Sequence, residues 1–174
     1  MEPKKPILQS TFDKDRCRHI ADGKTLVLHC HHFAALTTQL ANAMYDGEIL
    51  LTEAAEDTFF GVLADYYRKA GVSEIADRIE IAERYYSESG LGKLAIKQSA
   101  EQGGEVEMVH SHVDEGWVKK WGTASRPVNY IGCGYVTGAF SAIYDKPKRN
   151  YTAEERQSIA CGASISIIAV KAVN

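Results

Sequence analysis

No apolar run in this chain approaches the roughly 18 residues that a bilayer-spanning helix needs, which excludes a transmembrane helix as the basis of function. No Lys/Arg run is longer than two residues, as in Lys4-Lys5 or Lys119-Lys120, and the net charge is −3, so there is no electrostatic footprint for nucleic acid. The four cysteines, Cys17, Cys30, Cys133 and Cys161, form no Cys-x-x-Cys pair, which removes zinc ribbons and thioredoxin-type chemistry. Gly132, Cys133 and Gly134 follow no strand and lack the third glycine of a dinucleotide fingerprint. A phosphate loop, a nucleophile elbow and a convincing Ser-His-Asp set are also missing. The opening residues, with Pro3 and Pro6 among charges, lack the apolar core of a signal peptide, and the expected location is the cytoplasm.

What is present is ordinary in bulk and uneven in detail. At 174 residues, 45% hydrophobic and 25% charged, the chain reads as one soluble globular domain over 7–174, preceded by a flexible tail over 1–6. Three of its six histidines crowd behind the apolar residues Leu26, Val27 and Leu28, as His29, His31 and His32 around Cys30. Read as a continuing strand, that stretch puts His29 and His31 on one face and Cys30 and His32 on the other. A second pair of the same period, His110 and His112, follows the alternating residues 106–109. Two such pairs brought together would offer four neutral nitrogen donors, suited to zinc, copper, iron or nickel. His29, His31, His110 and His112 are therefore the candidate metal ligands, against the plainer reading of solvated or hydrogen-bonded histidines.

Taken in order, residues 7–12 read as a short strand pairing with residues 25–30 across an Asp22-Gly23 turn. Phe33, Leu36, Leu40 and Met44 or Ala43 then recur at helical spacing over 32–44, so a strand runs into a helix at the histidines. Asp46 and Gly47 break this helix. A second runs over 49–70, with a stripe of Leu50, Ala54, Phe59, Val62 or Leu63 and Tyr66, and ends at Gly71. Ser73 is the expected cap of a third helix, with Ile75, Ile79 and Ala82 inward. Residues 93–99 and 105–110 form a hairpin around Gly103 and Gly104. A short helix over 113–121 closes at Gly122, and a longer one spans about 128–144. Gly132, Gly134 and Gly138 inside that longer helix cost ~1 kcal/mol each relative to alanine, which points to close approach of another backbone or of a ligand. Strands over 151–158 and 164–173 finish the chain. Trp117 and Trp121, four apart, either wall a pocket or pack in the core, and the same choice applies to the tyrosines at 66, 67, 85 and 86.

The stretch from Gly134 to Tyr144, then Pro147, Glu155, Ser158, Ala160, Gly162 and Ser166, resembles the end of the 4-vinyl reductase, or hydrocarbon-binding, domain family. The residues around His31 and from Ser111 to Trp117 resemble a bacterial and archaeal branch of it. The resemblance implies an α+β, TRAPP-like domain: an antiparallel sheet of about four strands covered on one face by helices around an apolar pocket, typically a homodimer. In phenol-sensing activators of that family a zinc is held by residues that fall here on Cys133, Glu155, Ser158 and Ser166. Two of the four are serine, a poor zinc ligand, so that zinc site is not expected here. The family's reductase label is not carried over either, for want of a nicotinamide-binding motif.

Two functions follow. The first is a binding module that encloses a small apolar or aromatic molecule, or a haem-like tetrapyrrole, with Cys30, His32, Trp117, Trp121, Cys133, Tyr135 and Glu155 as candidate ligand-binding residues beside a metal ion, iron or zinc, on the histidines. The second is a non-haem iron or zinc enzyme on the same histidines, with Glu115 or Cys30 assisting proton transfer. A structural role for packed histidines around an empty pocket is the remaining possibility.

Overall fold

The structure is a computed structural model, and it describes residues 10–21, 24–26 and 29–173. Its main sheet contains β4 (Gly92–Ala100), β5 (Gly103–Ser111), β6 (Tyr151–Gln157) and β7 (Ser166–Ala172), all antiparallel in the order β4-β5-β7-β6. The hairpin forms where the alternation of residues 93–110 places it, with Gly103 and Gly104 at the start of β5. Gly103 has φ +135°, a conformation that only glycine adopts without strain, and a Cβ there would run into the Val170 carbonyl of the neighbouring strand.

A smaller sheet precedes the helices, with β1 (Ser10–Asp13), β2 (Arg18–Ala21) and β3 (Lys24–Leu26) in that order. The expected direct pairing of residues 7–12 with 25–30 is corrected, because β2 lies between them and pairs with both. The Asp22-Gly23 turn and the 1–6 tail lie outside the described residues. The strand reading of the histidine stretch is also corrected. Residues 29 and 30 are not strand, and His31 already begins α1 (His31–Ala43), with Cys30 as its extended N-cap. Helical hydrogen bonding begins there, with Phe33 N–H donating to the Cys30 carbonyl at 2.9 Å.

Helix α2 (Gly47–Ala70) ends as expected on Gly71 in the left-handed conformation, its N–H closing onto the Tyr67 carbonyl. Helix α3 (Ile75–Glu88) is preceded by Glu74, which makes no side-chain cap, and Ser73 is not the capping residue. Its buried stripe is Ile81, Ala82, Tyr85 and Tyr86 instead of one built on the exposed Ile75. Helices α4 (His112–Trp121) and α5 (Tyr130–Ile143) follow.

Helix α5 is the hub. Every residue from Gly132 to Ile143 is buried, as a helix apolar on all sides must be, because α2 covers one flank and the sheet the other. Two of the three interior glycines have the expected explanation, while Gly132 leaves room for the side chain of the capping Asn129. A Cβ on Gly134 would collide with the Thr52 carbonyl of α2, and one on Gly138 would stand 2.9 Å from the Glu56 carbonyl oxygen. Phe140, Tyr135, Tyr86, Leu63, Met108 and Ile168 then fill the space between helices and sheet.

Helix α1 inverts the expectation. Its buried residues are the small ones, Ala34, Ala35, Thr38 and Ala41, packed on α4 and α2, whereas Phe33, Leu36, Leu40 and Met44 point to solvent at 46–59% exposure. The periodicity was a sound guide to a helix and the wrong guide to its inner face. The small residues let α1 approach closely: a Cβ on Gly116 of α4 would meet the His31 carbonyl oxygen at 2.8 Å.

Candidate functional site

A cavity of about 570 Å³ lies between α2, α5 and β6. This is within the range of small-molecule sites. Ile49, Pro127, Tyr130 and Tyr151 supply apolar wall, and Asn129, Cys133, Thr137 and Glu155 supply polar atoms near its floor. Glu48, Glu53 and Glu154 are half-buried to exposed and stand at the rim.

Beneath the floor is a buried polar layer. Asp114 is fully buried in the first turn of α4, where its N–H donates to the capping Ser111 Oγ at 3.2 Å. Its carboxylate accepts from Asn129 Nδ2 at 2.7 Å and from Ser158 Oγ at 3.3 Å. Asn129 is itself the N-cap of α5, accepting from Gly132 N at 2.8 Å, and donates to Ser111 Oγ at 3.0 Å. One asparagine thus joins two helix starts. Ser166 Oγ accepts from Ile159 N at 2.9 Å and fixes the turn between β6 and β7.

Glu155 departs from this pattern of satisfied groups. It is 7% exposed, and neither carboxylate oxygen has a hydrogen-bond partner. Burial first, and then the charge of Asp114, push it up to about 7; the Ser166 and Ser158 hydroxyls pull the other way without reaching hydrogen-bond geometry. Burial raises Asp114 too, but hydrogen bonds from Ser111, Asn129 and Ser158 favour its ionised form. Asp114 therefore has hydrogen bonds that oppose the effect of burial, whereas Glu155 has no such partner in its geometry. Burial, and then the Glu155 and Asp114 carboxylates, push the Cys133 thiol up to about 12, which favours its neutral form.

On the acidic wall, Arg149 pairs with Glu56 at 3.0 Å, Asp57 at 3.0 Å and Glu53 at 3.4 Å, and its N–H donates to Glu56 Oε1 at 2.6 Å. Glu56 is buried and fully occupied by these contacts.

The histidines form a different patch, at the junction of α1 and α4. The rings of His29 and His112 lie 5.6 Å apart, those of His31 and His32 4.3 Å. The Nε2 atoms of His31 and His112 are buried without partners. Burial is the main cause holding both below the usual histidine value, followed by Lys119, His32 and His112 for His31 and by His29 for His112. His110 is directed elsewhere: it is 71% exposed and its Nδ1 lies 3.2 Å from Glu115 Oε1. Cys30 is exposed, and its thiol is lowered chiefly by the backbone N–H groups of Phe33 and His32 at the start of α1. Among the described residues no group of three or more His, Cys, Asp or Glu side chains is arranged to hold a metal ion.

Of the other sequence candidates, Cys133 and Glu155 line the cavity. Tyr135 is in the core, its Oη donating to the Ala82 carbonyl at 2.5 Å and its ring edge-on to Phe59 and Tyr86. Trp117 packs on Val128 and Ala160, and Trp121 is half-exposed beneath the Lys120 ammonium. The sequence reading did not single out Asn129, Ser111, Glu56 or Arg149. The Ser-x-x-Asp spacing at Ser111 is a capping signal, and asparagine is itself a favoured N-cap residue, so both caps were legible.

The fold is that of the 4-vinyl reductase and TRAPP-like domains, here with α1–α5, among the described residues, against a four-stranded antiparallel sheet. The phenol-responsive sensory domain of the transcription activator PoxR, solved with phenol, superposes with a TM-score of 0.76 at 17% identity, over 94% of this chain and 84% of that one. A vinyl-4-reductase family protein from Methanocaldococcus jannaschii gives 0.53 at 13% identity, over 82% and 78%. A trafficking protein particle complex subunit 3 from Naegleria fowleri, covalently bound to palmitic acid, gives 0.54 at 15% identity, over 83% and 95%. No family model matches the sequence, and no curated protein does. Cys133, Glu155, Ser158 and Ser166, the positions that the sequence resemblance set against a zinc site, do converge beneath α5, with serine at two of them.

Proposed function

We propose that this protein is a small-molecule binding domain whose ligand enters the cavity between α2, α5 and β6. The observation that carries this reading is the 570 Å³ cavity, which combines apolar wall with a buried carboxylate that has no partner within the protein. Neighbours of the same fold are described with phenol and with palmitic acid, which supports a ligand-enclosing role. The test is a thermal-shift and calorimetric screen of small phenols, amines and acids, with Thr52→Trp filling the cavity from a half-buried position on α2. Ligands that stabilise the native chain and are lost in the filled variant support the reading; indifference of every ligand to the filling sinks it.

The domain works as a homodimer in this proposal, through the outer face of α1. Phe33, Leu36, Leu40 and Met44 continue into Tyr45, Ile49 and Leu50, all exposed, and residues 29–45 contain no Asp, Glu, Lys or Arg. An uncharged apolar face can pack on its own copy without like-charge repulsion.

A second reading keeps a metal ion, zinc or iron, on His29, His31 and His112. The two buried, unpartnered Nε2 atoms favour it, and His110 takes no part in it. Elemental analysis and an absorption spectrum of the purified protein, beside those of His31→Ala and His112→Ala, test it. Stoichiometric metal or a haem band lost in the variants would support it, and metal-free protein after reconstitution would end it.

A further inference from the structure

We infer that the cavity is built for an organic cation, a protonated primary amine carried on a small apolar or aromatic body, whose ammonium group is received by the Glu155 carboxylate. The inference rests on the cavity being the ligand site and goes further by assigning the charge of what it holds.

The lining is strongly biased in sign. Five carboxylates border the cavity, from Glu48, Glu53, Glu56, Glu154 and Glu155, against one guanidinium, Arg149. That guanidinium is already shared among Glu53, Glu56 and Asp57, so it has little left to offer an anionic ligand. At the rim, Glu48 is paired with Arg126 and Glu154 loosely with Arg156 at 3.6 Å. Glu155 alone has no counter-charge: it is buried, as is the Arg149-paired Glu56, but at 7% exposure both of its oxygens are unpartnered. A buried carboxylate without partners costs free energy that a bound cation would offset, through a charge-assisted hydrogen bond in a site shielded from water. The half-buried Tyr130 on the wall suits the same ligand, since an aromatic ring attracts a cation and also packs an apolar body. Its hydroxyl is occupied by the Asn42 Oδ1, which leaves the ring as its contacting surface. Burial and the Asp114 charge hold Glu155 near pH 7, so an arriving ammonium ion would find it ready to ionise.

The test uses three probes of one shape and different charge: tyramine (+1), 4-ethylphenol (0) and 4-hydroxyphenylacetate (−1), titrated calorimetrically into the full chain at pH 7.5. The expected result is affinity falling in that order, with tyramine at least tenfold tighter than 4-ethylphenol. Glu155→Gln, which keeps the shape and removes the charge, should reduce tyramine affinity at least tenfold and leave 4-ethylphenol within twofold. Glu154→Gln at the rim should change tyramine affinity less than threefold. If 4-ethylphenol binds as tightly as tyramine, or Glu155→Gln leaves tyramine unaffected, the assignment of charge is overturned while the cavity remains a ligand site. If no probe binds and filling the cavity with Thr52→Trp changes nothing in the wider screen, the cavity reading fails and takes this inference with it.

Discussion

The histidine patch and the carboxylate layer are both polar clusters at helix starts, yet they are built oppositely. His29, His31 and His32 are neighbours in sequence, gathered at the start of α1 where the chain is still partly open to solvent. Asp114, Asn129, Glu155, Ser158 and Ser166 come from α4, the start of α5, β6, the turn after it and β7, and all are buried. The patch is dense in sequence and sparse in interactions, with two orphan ring nitrogens. The layer is scattered in sequence and tied by hydrogen bonds, with the single exception of Glu155. Density of one residue type therefore marked the less integrated of the two clusters. In a closed interior every polar atom must be partnered or carry a cost, so the lone exception is the more informative feature.

The sharpest way to break the comparison is Asp114→Ala. It removes the charged acceptor of Asn129 Nδ2, leaving that group only Ser111 Oγ as an oxygen partner, and the acceptor of the Ser158 hydroxyl, and a loss on the order of 3 kcal/mol is expected, measured by urea denaturation. A loss below ~1 kcal/mol would show that the layer holds nothing together. Glu155→Gln should act in the opposite direction. A buried carboxyl raised from 4.5 to about 7 favours the folded state fully below the unfolded value, and this contribution is lost as pH rises through the folded one. The native melting temperature should therefore fall between pH 5 and pH 8 relative to the variant, which gains on the order of 3 kcal/mol at pH 8. Parallel pH curves for the two proteins would remove the argument that Glu155 is uncompensated.

The α1 face offers an intermediate test. Leu40→Glu places a charge on the proposed self-contact, where two copies would oppose each other, and should convert a dimer to monomer in sedimentation with little effect on monomer folding. A wild-type chain that sediments as a monomer at high concentration would sink the dimer. The smallest effect is expected from His32→Ala, an exposed change within about 0.5 kcal/mol by the same denaturation. A larger loss would mean the patch is more firmly built than its contacts suggest.

Much of the fold was legible before the structure. Alternation at 93–110 placed the hairpin, Gly71 and Gly122 stopped their helices, and the Gly134 and Gly138 pair signalled the backbone contact with α2, because these are local consequences of backbone geometry. The misreadings share one cause. The inner face of α1, the intervention of β2 and the end of the strand before the histidines all depend on what packs against the segment, which its own residues do not encode. The site divided in the same way: Cys133 and Glu155 were reachable through the family resemblance and Asn129 only as a cap, whereas Glu56 and Arg149 were not, since they meet across 93 positions.

The sequence by itself determined the helices and the strands of the main sheet, because period and glycine placement are properties of a segment. Tertiary structure decided which apolar stripe is left exposed on α1, which histidines meet, and that one glutamate is buried beside a cavity with no charge to answer it. Those depend on desolvation and on distances between residues far apart in the chain, and both exist only once the elements have packed.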